Sequence, residues 1–388
     1  MYKKYEDNSN RGSNMTDNNL IVVGSSVSSS LRDALQNLDS QDGFELMNAS
    51  IANFGSGEPF SELFFEQDDQ YDSNKNKLKD ANVIIAQSTA DPVGDNCMQL
   101  MMATATAKRY GAKSVTVVMP FAAFARQDRE FEGRFASVAG DDFPMLLKAA
   151  GADQVITAEM HSKAAEQYYK NHFGEDNVHF LSTASVVTEQ LIAGGIEKDK
   201  IAVGAPDGAD KPHDAGQLRA VEVANKVHGT NIPEKGLLFR IWKEHTGVSQ
   251  TKINKFEGDV KGKTCVIIDD MTDSGGTLKN AAKVLKANGA KDVICYITHG
   301  IFTGNGMESI VTERTSDGEN AIDKLIVADT IPDVERKLRV LQRQYPNIDE
   351  RIEIASTAEL IVSKVKELHS ANTAKTTLQS GPKQPGQK

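Results

Sequence analysis

Acidic, hydroxyl and glycine residues follow one another in Asp269-Asp270-Met271-Thr272-Asp273-Ser274-Gly275-Gly276-Thr277. Ser274, Gly275, Gly276 and Thr277 combine hydroxyls with backbone N–H groups that a ligand can approach closely, the equipment for wrapping a phosphate at the start of a helix. Carboxylates repel phosphate, so Asp269 and Asp270 need another partner. Vicinal ribose hydroxyls suit acceptor-only groups, and a metal can share the position. Thr272 and Asp273 join the two halves of the turn. The competing reading is a plain turn whose acidic residues cap a helix. A second concentration of polar groups is Arg126-Gln127-Asp128-Arg129, where a guanidinium can pair with an anion and an amide can both donate and accept. The alternative there is a structural salt-bridge cluster.

Short β-rich runs alternating with helical patterns must position these groups: residues 21–23, 83–86, 115–119, 154–157, 201–203, 266–268 and 293–297. That rhythm implies an α/β protein with parallel strands. In CVIIDDMTDSGGTLKNAAKVLKANGAKDVICYI an apolar strand ends at Asp269. A polar turn follows, and a helix then places Leu278, Ala281, Ala282 and Leu285 on one face, with Gly289 closing it. Upstream, NVIIAQSTADPVGDNCMQLMMATATAKRYGAKSVTVVM repeats strand, turn, helix and Gly-Ala-Lys; Cys97, Leu100, Met101, Thr104 and Ala105 are the expected apolar face. The echo suggests a duplicated α/β domain with a boundary near residues 165–178. The expected division is a polar tail over 1–18, one domain over 19–170, a second over 171–370 and a polar tail over 371–388.

Forty-four basic against fifty-four acidic residues give a net charge of −10, which disfavours a general nucleic-acid surface. An anionic ligand must therefore be met locally, by backbone N–H groups, a few cations and a divalent metal. Apolar runs are too short to cross a bilayer, and the N-terminus lacks the apolar stretch of a secretory signal, so a cytoplasmic protein is expected. Cys97, Cys265 and Cys295 are an odd set inside apolar segments, without metal-ligand spacing, and read as reduced core thiols. Neither a GxxxxGK[ST] loop nor a GxGxxG loop occurs, so any nucleotide is held by other means.

The apolar strand followed by DDMTDSGGTL resembles the phosphoribosyl pyrophosphate loop shared by type I phosphoribosyltransferases and ribose-phosphate pyrophosphokinases. Further segments resemble the pyrophosphokinases in particular: AQSTADPVGDNCMQL is similar to QSTSxPVNDNLMEL, PFAAFARQDRE to PYxxYARQDRK, and ITAEMHSKAAEQYY to LTVDLHADQIQGFF. Within VGAPDGADKPHDAGQLRA the likeness is to SPDxGGxxRA, with extra residues around Lys211, Pro212 and His213 that bring it nearer the phosphate-independent plant enzymes. YITHGIFTGNG and VADTIPDVERK resemble AxTHGxxSGxA and TNTIP, which look architectural, with Thr298, His299 and Gly300 near the sugar-phosphate loop.

This resemblance implies two tandem type I phosphoribosyltransferase-like domains, each a mostly parallel sheet flanked by helices. It also implies transfer of pyrophosphate from magnesium ATP to ribose 5-phosphate. By the same resemblance Arg126, Gln127 and Asp128 contact ATP, and His161 and Asp207 sit with Mg²⁺. Phe54 and Glu58, in a loop similar to FSDGE, serve the ATP site of a neighbouring subunit; Ser56 replaces the family aspartate. Lys243 occupies the position of the mobile-loop lysine that acts with His161 and Arg126 in catalysis, and His245 stands where arginine is usual. Asp269, Asp270 and residues 272–277 hold ribose 5-phosphate, and a homo-oligomer, dimer or hexamer, is expected. Two other readings remain at this point: a phosphoribosyltransferase, which uses the same loop without ATP, and a non-catalytic regulatory relative of the synthetase.

Overall fold

A computed structural model of the chain describes residues 18–38, 43–64, 76–130, 132–133, 135–207, 214–229, 237–245 and 251–379. The first sheet is built from β1 (Asn19–Val23), β2 (Phe44–Asn53), β3 (Pro59–Phe64), β4 (Asn82–Ala86), β5 (Ser114–Met119), β6 (Gln154–Ala158) and β7 (Val178–Leu181), in the order β3-β2-β1-β4-β5-β6-β7. Only the β2–β3 hairpin is antiparallel. Runs such as NVIIA in β4 are buried at every position, as a parallel strand covered on both faces requires.

The second sheet has β8 (Ile201–Gly204), β11 (Thr264–Thr272), β12 (Asp292–Gly300), β13 (Lys324–Ala328) and β14 (Ile352–Ala355), all parallel, in the order β14-β13-β12-β11-β8. Between β8 and β11 stand α6 (Ala215–His228) and the separate antiparallel ribbon β9 (Arg240–His245) and β10 (Thr251–Glu257). α7 (Gly276–Ala287) follows β11 and buries Leu278, Ala281, Ala282 and Leu285, the face read from the spacing. Its last turn gives way to Gly289 at φ +89°, a left-handed position where glycine avoids the Cβ penalty. All three cysteines are buried and unpaired, and burial pushes the thiols of Cys97 and Cys265 up to about 12 and that of Cys295 higher still.

Four features differ from the expectation. β11 does not stop at Asp269 but runs to Thr272, because β12 continues alongside it and pairs Met271 with His299 and Thr272 with Gly300. In α2 (Val93–Arg109) the buried face is rotated to include Asn96 and Gln99. Gln87 donates to both of these amides and Gln99 donates to Asn53, so the buried polar groups satisfy one another. β7 extends the first sheet beyond residue 170, with α4 (Lys163–Phe173) connecting it to β6. The C-terminal helix α10 (Ala358–Gln379) packs Ala358, Ile361 and Val365 against Ile21, Leu31, Leu35 and Ile84, closing the far face of the first sheet rather than the second. Its backbone stays helical to Gln379, past residue 371 where a tail is expected: ANTAKTTLQ contains no glycine or proline to stop propagation. The N-terminal tail through residue 17 and residues 380–388 lie outside the described residues.

Candidate active site

The carboxyl ends of β6, β8 and β11 converge on a cavity of about 820 Å³, a volume suited to small ligands. One wall is the turn after β11. Gly275, at φ +73°, caps α7, and a Cβ there would stand 2.1 Å from Ile310 Cγ1, so the chain passes this point only as glycine. That conformation turns Ser274, Gly275, Gly276 and Thr277 into the cavity at the helix N-terminus, where backbone N–H groups and the helix dipole favour an anion. Asp273 lines the same turn, but its Oδ1 accepts from the Thr303 backbone N–H at 2.8 Å and from the Thr303 hydroxyl. Those bonds from Thr303 hold its carboxyl below the usual range.

The acidic pair divides its work. Asp270 is buried, its Oδ1 accepting from Arg219 Nη2 at 2.6 Å and its Oδ2 facing His161 Nδ1 at 2.9 Å. Burial alone would raise the Asp270 carboxyl, but the His161 hydrogen bond and the Arg219 guanidinium outweigh it and hold the group below its usual range. Asp269 is pushed well above the usual range by burial and by the neighbouring carboxylates of Asp270 and Asp207. Both oxygens of Asp270 are thus engaged by side chains of the protein, whereas Asp269 Oδ1 accepts from the Asp270 backbone N–H at 3.0 Å and its second oxygen is the one better placed to receive sugar hydroxyls.

Opposite this turn, Arg126, His161 and Asp207 line the cavity. His161 follows β6, and the next residue, Ser162, caps α4 with its hydroxyl while donating to Asp128 Oδ2 at 2.5 Å. Asp128 therefore braces the His161 turn; neither it nor Gln127 is among the cavity-lining residues. Asp207 ends the segment after β8, and its carbonyl accepts from Gln217 Nε2 at 3.0 Å. Phe54 and Glu58 lie at the exposed tip of the β2–β3 hairpin, outside this cavity, with Phe54 stacked on Phe60 at 4.4 Å. Lys243 falls on β9, its backbone paired with Ile253 of β10; its side chain and that of His245 lie outside the described residues, as does Lys211.

Among the described residues no three histidine, cysteine, aspartate or glutamate side chains form a self-sufficient metal cage. Magnesium does not need one, since it keeps several waters and commonly takes one or two carboxylates together with substrate phosphates. Asp207, Asp269 and the outward Nε2 of His161 fit that sharing arrangement, and the crowding of carboxylates around Asp269 is a cost that a divalent cation relieves.

Two family profiles match the chain: the N-terminal domain of ribose phosphate pyrophosphokinase over residues 26–151, and the phosphoribosyl synthetase-associated domain over residues 245–370. The ribose-phosphate pyrophosphokinase of Hyphomonas neptunium is 30% identical over 271 residues, covering 68% of this chain and 76% of that protein. The chain belongs to the ribose-phosphate pyrophosphokinase family. Ribose-phosphate pyrophosphokinase 2 of Enterococcus faecalis is likewise 30% identical, over 327 residues that span 84% of this chain and 87% of the relative. The crystal structure of phosphoribosylpyrophosphate synthetase from Mycobacterium smegmatis shares the fold, with a TM-score of 0.70 over 92% of this chain and all of that one, at 23% identity. The fold is accordingly that of the family, two phosphoribosyltransferase-like α/β domains in tandem.

Arg219 lines the cavity and is a site residue that spacing in the sequence does not single out, whereas Glu159 stands behind the cavity wall. Arg219 lies inside the quoted segment ending QLRA, so the signal was present but pointed to no partner. Glu159 accepts from the Thr183 N–H at 2.8 Å, and burial raises its carboxyl above the usual range. His299 is architectural, as its THG segment suggests. It is buried, its Nδ1 2.9 Å from Thr330 Oγ1 and its Nε2 3.1 Å from the Glu159 carbonyl, and burial lowers it to about 4. It is a strut between the two halves of the molecule.

Proposed function

We propose that this chain transfers the β,γ-pyrophosphoryl group of magnesium ATP to the anomeric hydroxyl of ribose 5-phosphate, giving 5-phosphoribosyl 1-pyrophosphate and AMP. The observation that carries this reading is the single cavity in which the anion-wrapping start of α7 and the acidic pair face Arg126 and His161 from the other half of the chain. A phosphoribosyltransferase needs only the first of these walls.

In the proposed reaction the residue 274–277 turn holds the sugar's 5-phosphate, and Asp269 accepts from the ribose hydroxyls. The C1 oxygen attacks the β-phosphorus, the bond from that phosphorus to the α,β-bridging oxygen breaks, AMP leaves with that oxygen, and the hydroxyl proton passes to solvent. Positioning and charge neutralisation supply most of the rate in such transfers, because little covalent work falls to the protein. Arg126 and Lys243 place positive charge on the transferring group, and Gln127 and Asp128 belong to the nucleotide side. Magnesium, when bound beside His161 and Asp207, supplies further charge stabilisation on the phosphate oxygens.

Phe54 and Glu58 act on a neighbouring copy's nucleotide, which requires at least a dimer. Residence in the cytoplasm belongs to the same reading; among the described residues no helix is long and apolar enough to cross a membrane.

The test is ³¹P NMR of the purified chain with Mg²⁺, ATP and ribose 5-phosphate. One AMP should appear per phosphoribosyl pyrophosphate formed. ADP as the nucleotide product, or turnover only when a nucleobase is added, would rule the reading out, and complete inactivity of the folded oligomer would point to the regulatory relative.

A further inference from the structure

The proposed chemistry needs two half-sites, one on each domain, held in fixed register. His161 is carried by the segment after β6 in the first sheet, and Asp270 by β11 in the second. Their side chains meet across the seam at 2.9 Å. A third group touches both. Arg219, on α6, donates Nη2 to Asp270 Oδ1 at 2.6 Å and Nη1 to the carbonyl of Met160, the residue before His161, at 3.3 Å. Its side chain is 11% exposed, so the contact is shielded from water.

We infer that Arg219 is the positioning residue that locks the two half-sites together: one guanidinium grips the backbone that presents His161 and the carboxylate that orients the His161 ring. This rests on the function proposed above for its catalytic consequence, but not for its structural one.

The hydrogen-bond inventory forces the detail. An ionised carboxylate only accepts, so the His161 nitrogen facing Asp270 must carry a proton, and Nε2 presents its lone pair to the cavity in the neutral ring. Free imidazole has no such restriction. The preference therefore depends on the carboxylate staying in place, and Arg219 tethers its other oxygen. A planar fork with donors set at a fixed angle can hold Met160 and Asp270 at once; a lysine ammonium is a point charge on a flexible stem and does not fix both angles. The Nε of Arg219 is buried with no hydrogen-bond partner among the described residues. Keeping an arginine there at that cost is consistent with a task that its two terminal nitrogens perform.

The test uses Arg219→Lys, which keeps the charge and most of the volume, and Arg219→Ala with added guanidinium. In metal-free, substrate-free protein, ¹⁵N chemical shifts of the His161 ring should show Nδ1 as the fixed, hydrogen-bonded proton carrier in the parent chain, and should lose that preference in Arg219→Lys. In the assay kcat should fall roughly 10- to 100-fold, the range for losing a group that orients a ligating side chain, while KM for ribose 5-phosphate changes by less than about threefold. Guanidinium should restore part of the kcat of Arg219→Ala. A Lys variant with parental tautomer and parental kcat overturns the inference. So does a loss of kcat with an unchanged ¹⁵N signature, or a loss confined to KM. If the parent chain makes no phosphoribosyl pyrophosphate, the proposed function fails, yet the tautomer comparison still decides whether Arg219 sets the His161 ring.

Discussion

Replacing Gly275 by alanine puts a methyl group where the structure has none to spare. The new Cβ would lie 2.1 Å from Ile310 Cγ1 and 2.5 Å from Cδ1, and Ile310 is fully buried, so it cannot swing into solvent. Overpacking of this kind costs about 1 to 3 kcal/mol. The left-handed backbone at φ +73° adds roughly 1 to 2 kcal/mol for any residue with a Cβ. The turn relieves this strain by moving, and ribose 5-phosphate must then pull it back. Even about 2 kcal/mol corresponds to roughly 30-fold weaker binding. Calorimetric titration with ribose 5-phosphate measures it directly. The double variant Gly275→Ala/Ile310→Ala removes the clash but keeps the backbone cost, and should recover much of the lost affinity. Parental affinity in Gly275→Ala, or no recovery in the double variant, would refute the account of the turn.

Lys243→Ala should lower kcat by roughly 10³-fold or more, as for charged groups acting on transferring phosphoryls, with an unchanged circular dichroism spectrum; an unaltered kcat would remove Lys243 from the mechanism. His299 is held near 4 when folded, against about 6.5 in an unfolded chain. Its contribution is present above pH 6.5 and is lost as pH falls towards 4, an effect of about 3 kcal/mol. Urea midpoints across that window should drop less in His299→Gln than in the parent. Thr303→Val removes the hydroxyl donor to Asp273 and leaves the backbone N–H, so ¹³C NMR should show the Asp273 carboxyl titrating higher than in the parent. In the parent, Asp273 stabilises the fold above the ordinary aspartate range, and that contribution fades as pH drops through its lowered folded value.

The phosphate turn was legible because its parts are contiguous: strand, acidic pair, glycines and helix follow one another within a dozen residues, and each has a local physical reason. The parallel strands were legible for the same reason, as runs such as VIIA are too apolar for any surface. What escaped reading depends on distance along the chain. Arg219 lies 51 residues from Asp270, and His161 lies 109 from it, so no spacing rule links them. Gln87, Asn96 and Gln99 look like solvated residues until their amides are seen to satisfy one another. The apolar residues Ala358, Ile361 and Val365 of α10 need cover, but nothing in their spacing says which sheet supplies it. Asp273 lines the cavity as its place in the turn suggests, but the Thr303 bonds to its Oδ1 come from the segment after the next strand and could not be read from local sequence.

The most direct measurement is a crystal structure of the chain with ribose 5-phosphate, Mg²⁺ and a non-hydrolysable ATP analogue. The pentose 5-phosphate should rest on the backbone N–H groups of residues 274–277 with Asp269 on its hydroxyls, and the analogue's phosphates should lie beside Arg126 and His161 with the β-phosphorus facing the anomeric oxygen. A pentose bound elsewhere, or a nucleotide distant from Arg126 and His161, would contradict the proposed transfer.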